Sequence, residues 1–528
     1  ERPSEIRFQT ACPNIMKLIR TLETYWRQPR FYWPLTVIIA AATPLTFAPY
    51  YHFWLMPLLF GALVRLTELR PECAAATAYL YGLVGYAAQF YWIHTAMHDV
   101  SGLSNLYAVP ITFLLPAFLA LYPALCFRLL RMFRYPRAVN IGIILPLLWT
   151  LAEFARERLL TGFGWGALGY SQIVPNSPLA GFAPVGGIHL VTLATACTGA
   201  WLVLLIDNTG RLKKRLLPLA GIAALCGTGY ALQQTDFTRP DGSTATVALI
   251  QGNIEQTFKW HEDQIVPTIQ KYYALLGQTK ADIVIMPETA IPVMRQDLPP
   301  DVLVKFAEQA DGNNSALALG ISQYTADGGG YENAVVNLSG YRDGGKTPPY
   351  YAKDHLVPFG EYKPLKFITE PLYRLMDMPL ADFRRGGGRQ MPLEMKNQKI
   401  AFNICYEDGF GDDLIATAKH STLLANASNL AWFGGSNAMY QQLQQSQARA
   451  MELGRYMVRA TNTGATAIVS PKGAVLAAAE PNTDAVLEGI VKGHTGETPY
   501  MKLGGSWPLI CLLAGTVLFL YLLQKKQK

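Results

Sequence analysis

The residue with the clearest chemical potential in this 528-residue chain is Cys405, which ends an apolar, strand-like run. The run begins at Lys399, and the acids Glu407 and Asp408 follow it. No other cysteine lies between about residues 235 and 507, so a disulfide partner within that stretch is excluded. A single thiol at the end of a strand is a candidate nucleophile, although a buried core cysteine is the more common explanation.

Two further motifs place ionisable side chains at the ends of strand-like runs. The run Ile283–Met286 leads to Glu288, and Tyr350–Ala352 leads to Lys353. A carboxylate can take the thiol proton and later activate an incoming nucleophile. An ammonium can favour the thiolate and hold an oxyanion, for which the backbone N–H of Tyr406 is a second candidate donor. The residue types therefore predict a catalytic set of Glu288, Lys353 and Cys405.

Long apolar stretches dominate the chain up to about residue 235 and return at its C-terminal end. The composition is 50% hydrophobic and 16% charged, below the charged fraction of about 25% that is usual in soluble domains. These stretches predict an α-helical membrane bundle of about eight spans. The predicted spans are 34–48, 51–66, 74–93, 106–129, 140–155, 187–206, 216–232 and 507–523.

Lysine and arginine are dense in alternate loops between these spans, which predicts the orientation of the chain. Both termini are expected in the cytoplasm and the polar insert on the opposite side of the membrane. The net charge of +7 is therefore mostly a topology signal, and nucleic acid is not a predicted partner. We expect a membrane domain over 1–234 with about seven spans, a catalytic domain over 235–500, and a last span with a short basic tail over 501–528.

Strand-like and helical patterns alternate within the insert, which predicts a layered α/β domain. The segment 364–385 is apolar but lacks the alternating pattern of a strand. Two interpretations of it stay open: a lid or an arm that contacts lipid, and an ordinary loop. The predicted strands are 244–250, 283–286, 316–321, 334–338, 399–405, 422–427, 466–470 and 486–491. The predicted helices are 263–278, 300–310, 412–419 and 437–454.

Glu288, Lys353 and Cys405 follow the chain order of the catalytic residues of the nitrilase superfamily, which residues 244–493 resemble. This resemblance implies a nitrilase-like α-β-β-α sandwich with those three residues as its triad and Glu361 as a supporting glutamate. The segments 247–254, 355–362, 452–455 and 459–464, beside a multi-span membrane part, resemble the apolipoprotein N-acyltransferase family.

That second resemblance implies a ping-pong acyl transfer in a cell inner membrane, with the catalytic domain on the periplasmic side. Cys405 would take an acyl chain from a phospholipid, typically phosphatidylethanolamine, as a thioester. The N-terminal amine of an S-diacylglyceryl-cysteine on an apolipoprotein would then receive it, with Glu288 as base in both halves. Tyr406 and Glu407 are further supporting candidates, and Glu407 is equally open to a structural salt bridge. Aromatic candidates for substrate binding, each also open to a core role, are Trp260, Trp432 and Phe359.

No cofactor or metal is predicted, because the histidines lack metal-ligand spacing and Gly386–Gly388 lacks the context of a phosphate-binding loop. The chain is expected to be a monomer. Three other functions stay open. They are a membrane-tethered nitrilase-type amidase that hydrolyses a small amide, a non-catalytic binding or transport module with a dead site, and an acyltransferase of the same fold that acts on another amine. Capture of a long-chain acyl group on Cys405 separates acyl transfer from the first two.

Overall fold

The computed structural model describes residues 24–207, 212–364 and 383–526. The described residues before 235 are mainly helical, and a further helix, Trp507–Lys526, lies near the C-terminus. We call the helices before residue 235 the helical region. Its main helices are Pro29–Ala41, Leu55–Leu69, Ala74–Gln89, Asn105–Leu119, Leu121–Leu130, Leu145–Arg158, Ala183–Asp207 and Leu212–Gln234.

Five helical segments among the described residues are long and apolar enough to cross a membrane: Asn105–Leu130, Arg137–Arg158, Pro178–Asp207, Lys214–Gln234 and Trp507–Lys526. Each coincides with a predicted span. The helices at the other three predicted spans have 13, 15 and 16 residues, fewer than the roughly 20 needed to cross the bilayer core. The count of about eight spans therefore stays a prediction.

Small residues let the central helices of this region approach closely. The helix Ala183–Asp207 lies against Leu55–Leu69, where a Cβ on Gly61 would lie 3.0 Å from the carbonyl oxygen of Gly199. A Cβ on Gly199 would in turn lie 2.6 Å from the carbonyl oxygen of Pro57. Contacts of this kind favour helix association in lipid, where the hydrophobic effect does not drive helices together.

Residues 239–503 form the sandwich, which contains two six-stranded sheets. The first sheet has the order β12-β1-β2-β3-β4-β5, and the second has the order β11-β10-β9-β8-β7-β6. The strands are β1 Arg239–Gln251, β2 Ile283–Ile285, β3 Ala316–Tyr324, β4 Tyr331–Asn337, β5 Tyr350–Ala352, β6 Leu393–Met395, β7 Gln398–Ile404, β8 Leu423–Ser428, β9 Met457–Thr461, β10 Ala467–Val469, β11 Val475–Ala478 and β12 Ala485–Thr495.

The period-two side-chain pattern of β1 shows how the layers form. Val247 and Leu249 face the second sheet, whereas Ala248 and Ile250 face the helices on the outer side. Those outer helices are Glu262–Leu276 and Pro300–Gly312, and the outer face of the second sheet is covered by Gly411–Ala418, Ala438–Leu453 and Pro499–Leu503. The predicted helix–sheet–sheet–helix order is therefore present.

The helix Ala438–Leu453 lies between the sandwich and the helical region, which accounts for its many glutamines. Gln441 accepts a hydrogen bond from Trp165 Nε1 at 3.0 Å. Gln444 accepts from the backbone N–H of Ala48 at 3.1 Å and donates to the carbonyl of Ile173 at 3.3 Å. Amide side chains can satisfy backbone donors and acceptors at once, so this helix bonds directly to loops of the helical region.

The same helix also contacts the start of a long apolar helix. Gly187, with φ 67° and ψ −170°, breaks the helix Ala183–Asp207, and the N–H of Ile188 then donates to Glu452 Oε1 at 2.8 Å. A Cβ on Gly187 would lie 2.6 Å from the ring of Tyr500. The junction thus needs a residue without a side chain, for both its backbone conformation and its space.

Gly187→Ala is expected to lower the thermal stability of the detergent-solubilised protein, because such backbone strain costs about 1–3 kcal/mol before any clash with Tyr500. The measurement is the midpoint of thermal unfolding followed by intrinsic fluorescence. Gly227→Ala is the matched control, since Gly227 lies in the helix Leu212–Gln234 with open space around its Cβ position. Equal midpoints for the two variants would contradict this account of the junction.

Candidate active site

The candidate active site lies where the carboxyl ends of parallel strands from both sheets meet. Strands β1 to β3 are parallel in the first sheet, and β7 to β9 are parallel in the second. Glu288 follows β2, Lys353 follows β5 and Cys405 follows β7. The backbone N–H of Asn429, after β8, donates to Glu288 Oε2 at 2.8 Å, so the two sheets are joined at this end.

A buried ion cluster combines one ammonium with two carboxylates. Lys353 Nζ lies 2.9 Å from Glu361 Oε1 and 3.5 Å from Glu288 Oε1, and its side chain is 1% exposed. Asn333 Nδ2 donates to the same two oxygens, at 2.7 Å for Glu288 and 3.2 Å for Glu361. Burial alone would lower the pKa of Lys353, but the two carboxylates outweigh it and raise that pKa above its usual value.

Both carboxylates are also held through their second oxygens. Glu288 Oε2 accepts from Asn429, and Glu361 Oε2 accepts from the backbone N–H of Val357 at 2.7 Å. The turn that carries Glu288 lies so close to β3 that a Cβ on Gly320 would lie 2.1 Å from the carbonyl of Pro287. Glycine at position 320 is therefore required for the position of Glu288.

Cys405 begins a short 3-10 turn, Cys405–Gly409, and has a left-handed backbone with φ 54°. Non-glycine residues in this region are uncommon and are concentrated at functional sites. Burial and the negative charge of Glu288, partly offset by the ammonium of Lys353, raise the pKa of the Cys405 thiol to about 12. The resting sulfur is thus protonated at neutral pH, and attack by sulfur requires a base.

Glu407 joins the Cys405 turn to the loop that carries Lys353. It accepts hydrogen bonds from the backbone N–H groups of Ile404 at 2.6 Å, Asp354 at 2.7 Å and His355 at 2.9 Å, and from the hydroxyl of Tyr351 at 3.0 Å. Burial raises the pKa of Glu407 to about 7, although these N–H donors favour its ionised form. In the described structure, Glu407 thus accepts hydrogen bonds from the segment before Cys405 and from the segment around Lys353.

A buried polar network lies beneath the turn, and the sequence analysis did not identify it. Arg459 pairs with Asp408 at 2.7 Å and donates to Gln442 Oε1 at 2.6 Å. Asp408 also accepts from Asn403 at 2.7 Å. The amide nitrogen of Gln442 lies 3.9 Å from Cys405 Sγ. The available signal was a single arginine in the otherwise uncharged run Met457–Thr461.

The same turn contacts the helical region. The hydroxyl of Tyr406 donates to the carbonyl of Gly162 at 2.7 Å. The loop that contains Gly162 is shaped by Arg156, which donates to the carbonyls of Phe163 at 2.8 Å and Trp165 at 2.7 Å. The position of Cys405 is therefore linked to a loop that directly follows a membrane-length helix.

The three aromatic candidates follow strands β1, β5 and β8. Trp260 is 40% exposed and Phe359 is 42% exposed. Trp432 is half-buried in the short turn Ala431–Phe433, and its neighbour Phe433 packs on Trp92 at 4.6 Å between ring centroids. Their substrate-binding role stays a prediction. Most of the predicted arm, residues 365–382, lies outside the described residues.

No candidate metal site is found in residues 24–207, 212–364 and 383–526. There, no group of three or more histidine, cysteine, aspartate or glutamate side chains is placed to hold an ion. The chemically capable groups at the strand ends are the thiol, the ammonium and the carboxylates. This set suits proton transfer and nucleophilic attack on an acyl carbon.

Comparison with known proteins gives matches in both parts of the chain. Residues 39–201 match the family described as the apolipoprotein N-acyltransferase N-terminal domain, and residues 246–500 match the carbon-nitrogen hydrolase family.

Relatives match over nearly the whole length. The apolipoprotein N-acyltransferase of Neisseria meningitidis serogroup B is 70% identical, covering 97% of this chain and 100% of the relative. The protein of the same name from Chromobacterium violaceum is 46% identical over 93% of this chain and 94% of the relative. The protein of the same name from Nitrosomonas europaea is 38% identical over 91% of this chain and 95% of the relative. This chain therefore belongs to the apolipoprotein N-acyltransferase family.

Proposed function

We propose that this protein transfers a fatty acyl chain from a phospholipid to the N-terminal amine of a diacylglyceryl-modified apolipoprotein, through a thioester on Cys405. The observation that carries the proposal is the buried cluster of Glu288, Lys353 and Glu361 at the same strand ends as a thiol in a left-handed turn. Family membership supports the reaction class, since the relatives are named for acyl transfer to apolipoproteins.

In the first half-reaction, Glu288 takes the proton of Cys405 while the sulfur attacks the ester carbonyl of the phospholipid. The ammonium of Lys353 and the backbone N–H of Tyr406 stabilise the resulting oxyanion. The carbon–oxygen bond then breaks, and Glu288 returns the proton to the departing glycerol oxygen. The products are a lysophospholipid and an acyl group on sulfur.

In the second half-reaction, the amine of the apolipoprotein attacks the thioester carbonyl. Glu288 takes a proton from nitrogen and delivers it to sulfur as the carbon–sulfur bond breaks, which restores the thiol. Water would compete with the amine as a nucleophile, and the partial burial of Cys405 limits the access of water to the thioester.

Glu361 and Glu407 act in this proposal by holding the reacting groups. Glu361 contacts Lys353 directly and fixes its ammonium beside Glu288. Glu407 bonds to the backbone on both sides, at Ile404 before the nucleophile and at Asp354 after the lysine. Such contacts keep the oxyanion donors aimed at one point, which is the requirement for electrostatic stabilisation without reorganisation.

The setting is an inner membrane with about eight spans, both termini in the cytoplasm and the catalytic domain in the periplasm. The proposed division is 1–234, 235–500 and 501–528, and the chain acts as a monomer. The basic loops and the five membrane-length helices support this placement. We assign phosphatidylethanolamine as acyl donor, and Trp260, Trp432 and Phe359 as lining for the acyl chains.

The direct test uses vesicles of phosphatidylethanolamine with deuterated acyl chains and a synthetic S-diacylglyceryl-cysteinyl peptide. The protein is expected to add one deuterated acyl group to the peptide amine, seen by mass spectrometry, and Cys405→Ala is expected to add none. Free deuterated fatty acid as the main product would instead indicate a hydrolase. Peptide acylation by Cys405→Ala at the normal rate would contradict the proposed nucleophile.

Glu288→Gln is expected to slow acyl transfer by about 10²–10⁴-fold, because the variant keeps the shape of the side chain and loses the base. The measurement is the initial rate of peptide acylation at equal protein amounts, with the thermal unfolding midpoint followed in parallel. Glu308→Gln, on the exposed side of the helix Pro300–Gly312, is the matched control and should act at the normal rate. A Glu288→Gln rate within threefold of normal would exclude this carboxylate as the base.

A further inference from the structure

A basic cleft lies at the end of the sandwich opposite the candidate active site, and the reaction proposed above does not use it. The cleft has a volume of about 540 Å³, within the range of small-molecule sites. Its walls come from the start of β1, the end of β12 and the segments just before β8 and β9. The charged and titratable side chains in its lining are Arg239, Asp241, Lys419, His420, Arg455 and His494.

A whole strand separates this cleft from the candidate active site. Strand β8 begins at Leu423, directly after the cleft residue Thr422. It ends at Ser428, directly before Asn429, whose N–H holds Glu288. The six residues of β8 span about 17 Å at the rise of a strand. The cleft is therefore a second site, and a group bound in it is held away from the candidate nucleophile.

Arg455 brings a buried positive charge into the wall of the cleft. The residue is 1% exposed, and its guanidinium donates to four backbone carbonyls. Those carbonyls are at Gly496 at 2.9 Å, Ser421 at 3.0 Å, Leu453 at 3.1 Å and Ala418 at 3.5 Å. Carbonyl groups satisfy the N–H donors but leave the positive charge in place. Burial lowers the pKa of Arg455 to about 10, with a partial offset from Glu497 and Asp241, so the group is still charged at neutral pH.

The charges at the cleft are not balanced. The lining has three cations, Arg239, Lys419 and Arg455, and one carboxylate, Asp241. A second carboxylate, Glu497, pairs with Lys419 at 3.4 Å. One positive charge is left when each carboxylate offsets one cation and the histidines are neutral. A ligand with a single negative charge restores the balance, so the cleft favours a monovalent anion.

The cleft also lies near the ends of two membrane-length helices. Arg239 follows Gln234, the last residue of one such helix, by five residues, so the two are at most about 18 Å apart. Glu452, three residues before Arg455, accepts a hydrogen bond from the N–H of Ile188 at 2.8 Å. Ile188 is in the first turn of a second membrane-length helix. An anion that reaches the cleft from this side comes from the surface of the bilayer.

We propose that this cleft binds the phosphodiester headgroup of an anionic phospholipid of the phosphatidylglycerol type. The exposed side chains of Arg239 and Lys419 contact the phosphate, and Arg455 adds its charge from the wall. A zwitterionic lipid fits less well, because its ammonium group meets the same cations. The bound lipid holds this end of the sandwich at the bilayer. The inference goes beyond acyl transfer and depends only on the proposed placement of the helices in a membrane.

The test measures the binding of tritiated lipids to the detergent-solubilised protein by scintillation proximity. The probes are ether-linked phosphatidylglycerol and ether-linked phosphatidylcholine, which have no ester and so cannot acylate Cys405. The unaltered protein is expected to bind phosphatidylglycerol about tenfold more tightly, the order of effect that basic residues near lipid produce. Arg239→Gln combined with Lys419→Gln is expected to bind the two lipids within about twofold of each other. Both side chains are exposed, so the thermal unfolding midpoint should be unchanged.

Lys472→Gln is the matched control. Lys472 is an exposed lysine that pairs at 2.8 Å with Asp236, close to the same helix end, and it is outside the lining of the cleft. This variant loses the same kind of charge and should keep the full preference for phosphatidylglycerol.

Three results would overturn the inference. Equal affinities of the unaltered protein for the two lipids would exclude recognition of an anionic headgroup. An undiminished preference in the double variant would place that recognition outside the cleft. Displacement of phosphatidylglycerol by millimolar inorganic phosphate would replace the lipid with a small soluble anion as the ligand. Formation of the acyl-enzyme is a separate readout, and the double variant should form it at the normal rate, so failure of the lipid site leaves the proposed acyl transfer standing.

Discussion

The ammonium of Lys353 is buried with two carboxylates, and the rest of the candidate site depends on this cluster. Taking such charges out of water is costly unless each is paired and hydrogen-bonded in good geometry. Here Asn333 bonds to both carboxylates, and backbone N–H groups hold their second oxygens. Those donors come from three separate segments: β4, the loop after β5 and the turn after β8. The cluster can therefore exist only when both sheets are assembled, which ties the geometry of the candidate site to the fold.

A second constraint links the chemistry to the membrane. The turn after Cys405 contacts the loop at Gly162, and the helix Ala438–Leu453 bonds to loops of the helical region and to the first turn after Gly187. A nucleophile for lipid-anchored substrates has to lie at the bilayer surface. The helix Ala438–Leu453 contacts both regions: Gln442 lies near Cys405, while Gln441 and Gln444 bond to loops of the helical region.

Much of the sandwich could be predicted because its main strands are apolar runs with clear ends. The eight predicted strands and four predicted helices of the insert are all present, with ends that differ by up to five residues. Strand β5 was identified only as a short strand-like run before Lys353, and strands β6 and β11, of three and four residues, were missed. Strand β9 was missed because it contains Arg459, whose charge is paired inside the protein with Asp408.

The placement of Glu288, Lys353 and Cys405 at strand ends could be predicted from the sequence, whereas the contacts that hold these side chains could not. Asn333 and Asn429 are far in sequence from the carboxylates they hold, and neither lies in a pattern that marks a site. The burial of Lys259, which is 1% exposed, was also not predicted, because burial of a lysine depends on tertiary packing that a sequence does not display. The short helices before residue 90 likewise leave the predicted span count untested.

The central claim is that Cys405 carries the acyl chain, and intact-mass spectrometry tests it most directly. The purified protein and its Cys405→Ala variant are incubated with phosphatidylethanolamine and then weighed. The account predicts a gain of one fatty acyl group that hydroxylamine removes and that the alanine variant lacks. No adduct on a folded protein whose thiol is shown to be accessible, or an adduct of equal size on Cys405→Ala, would contradict it.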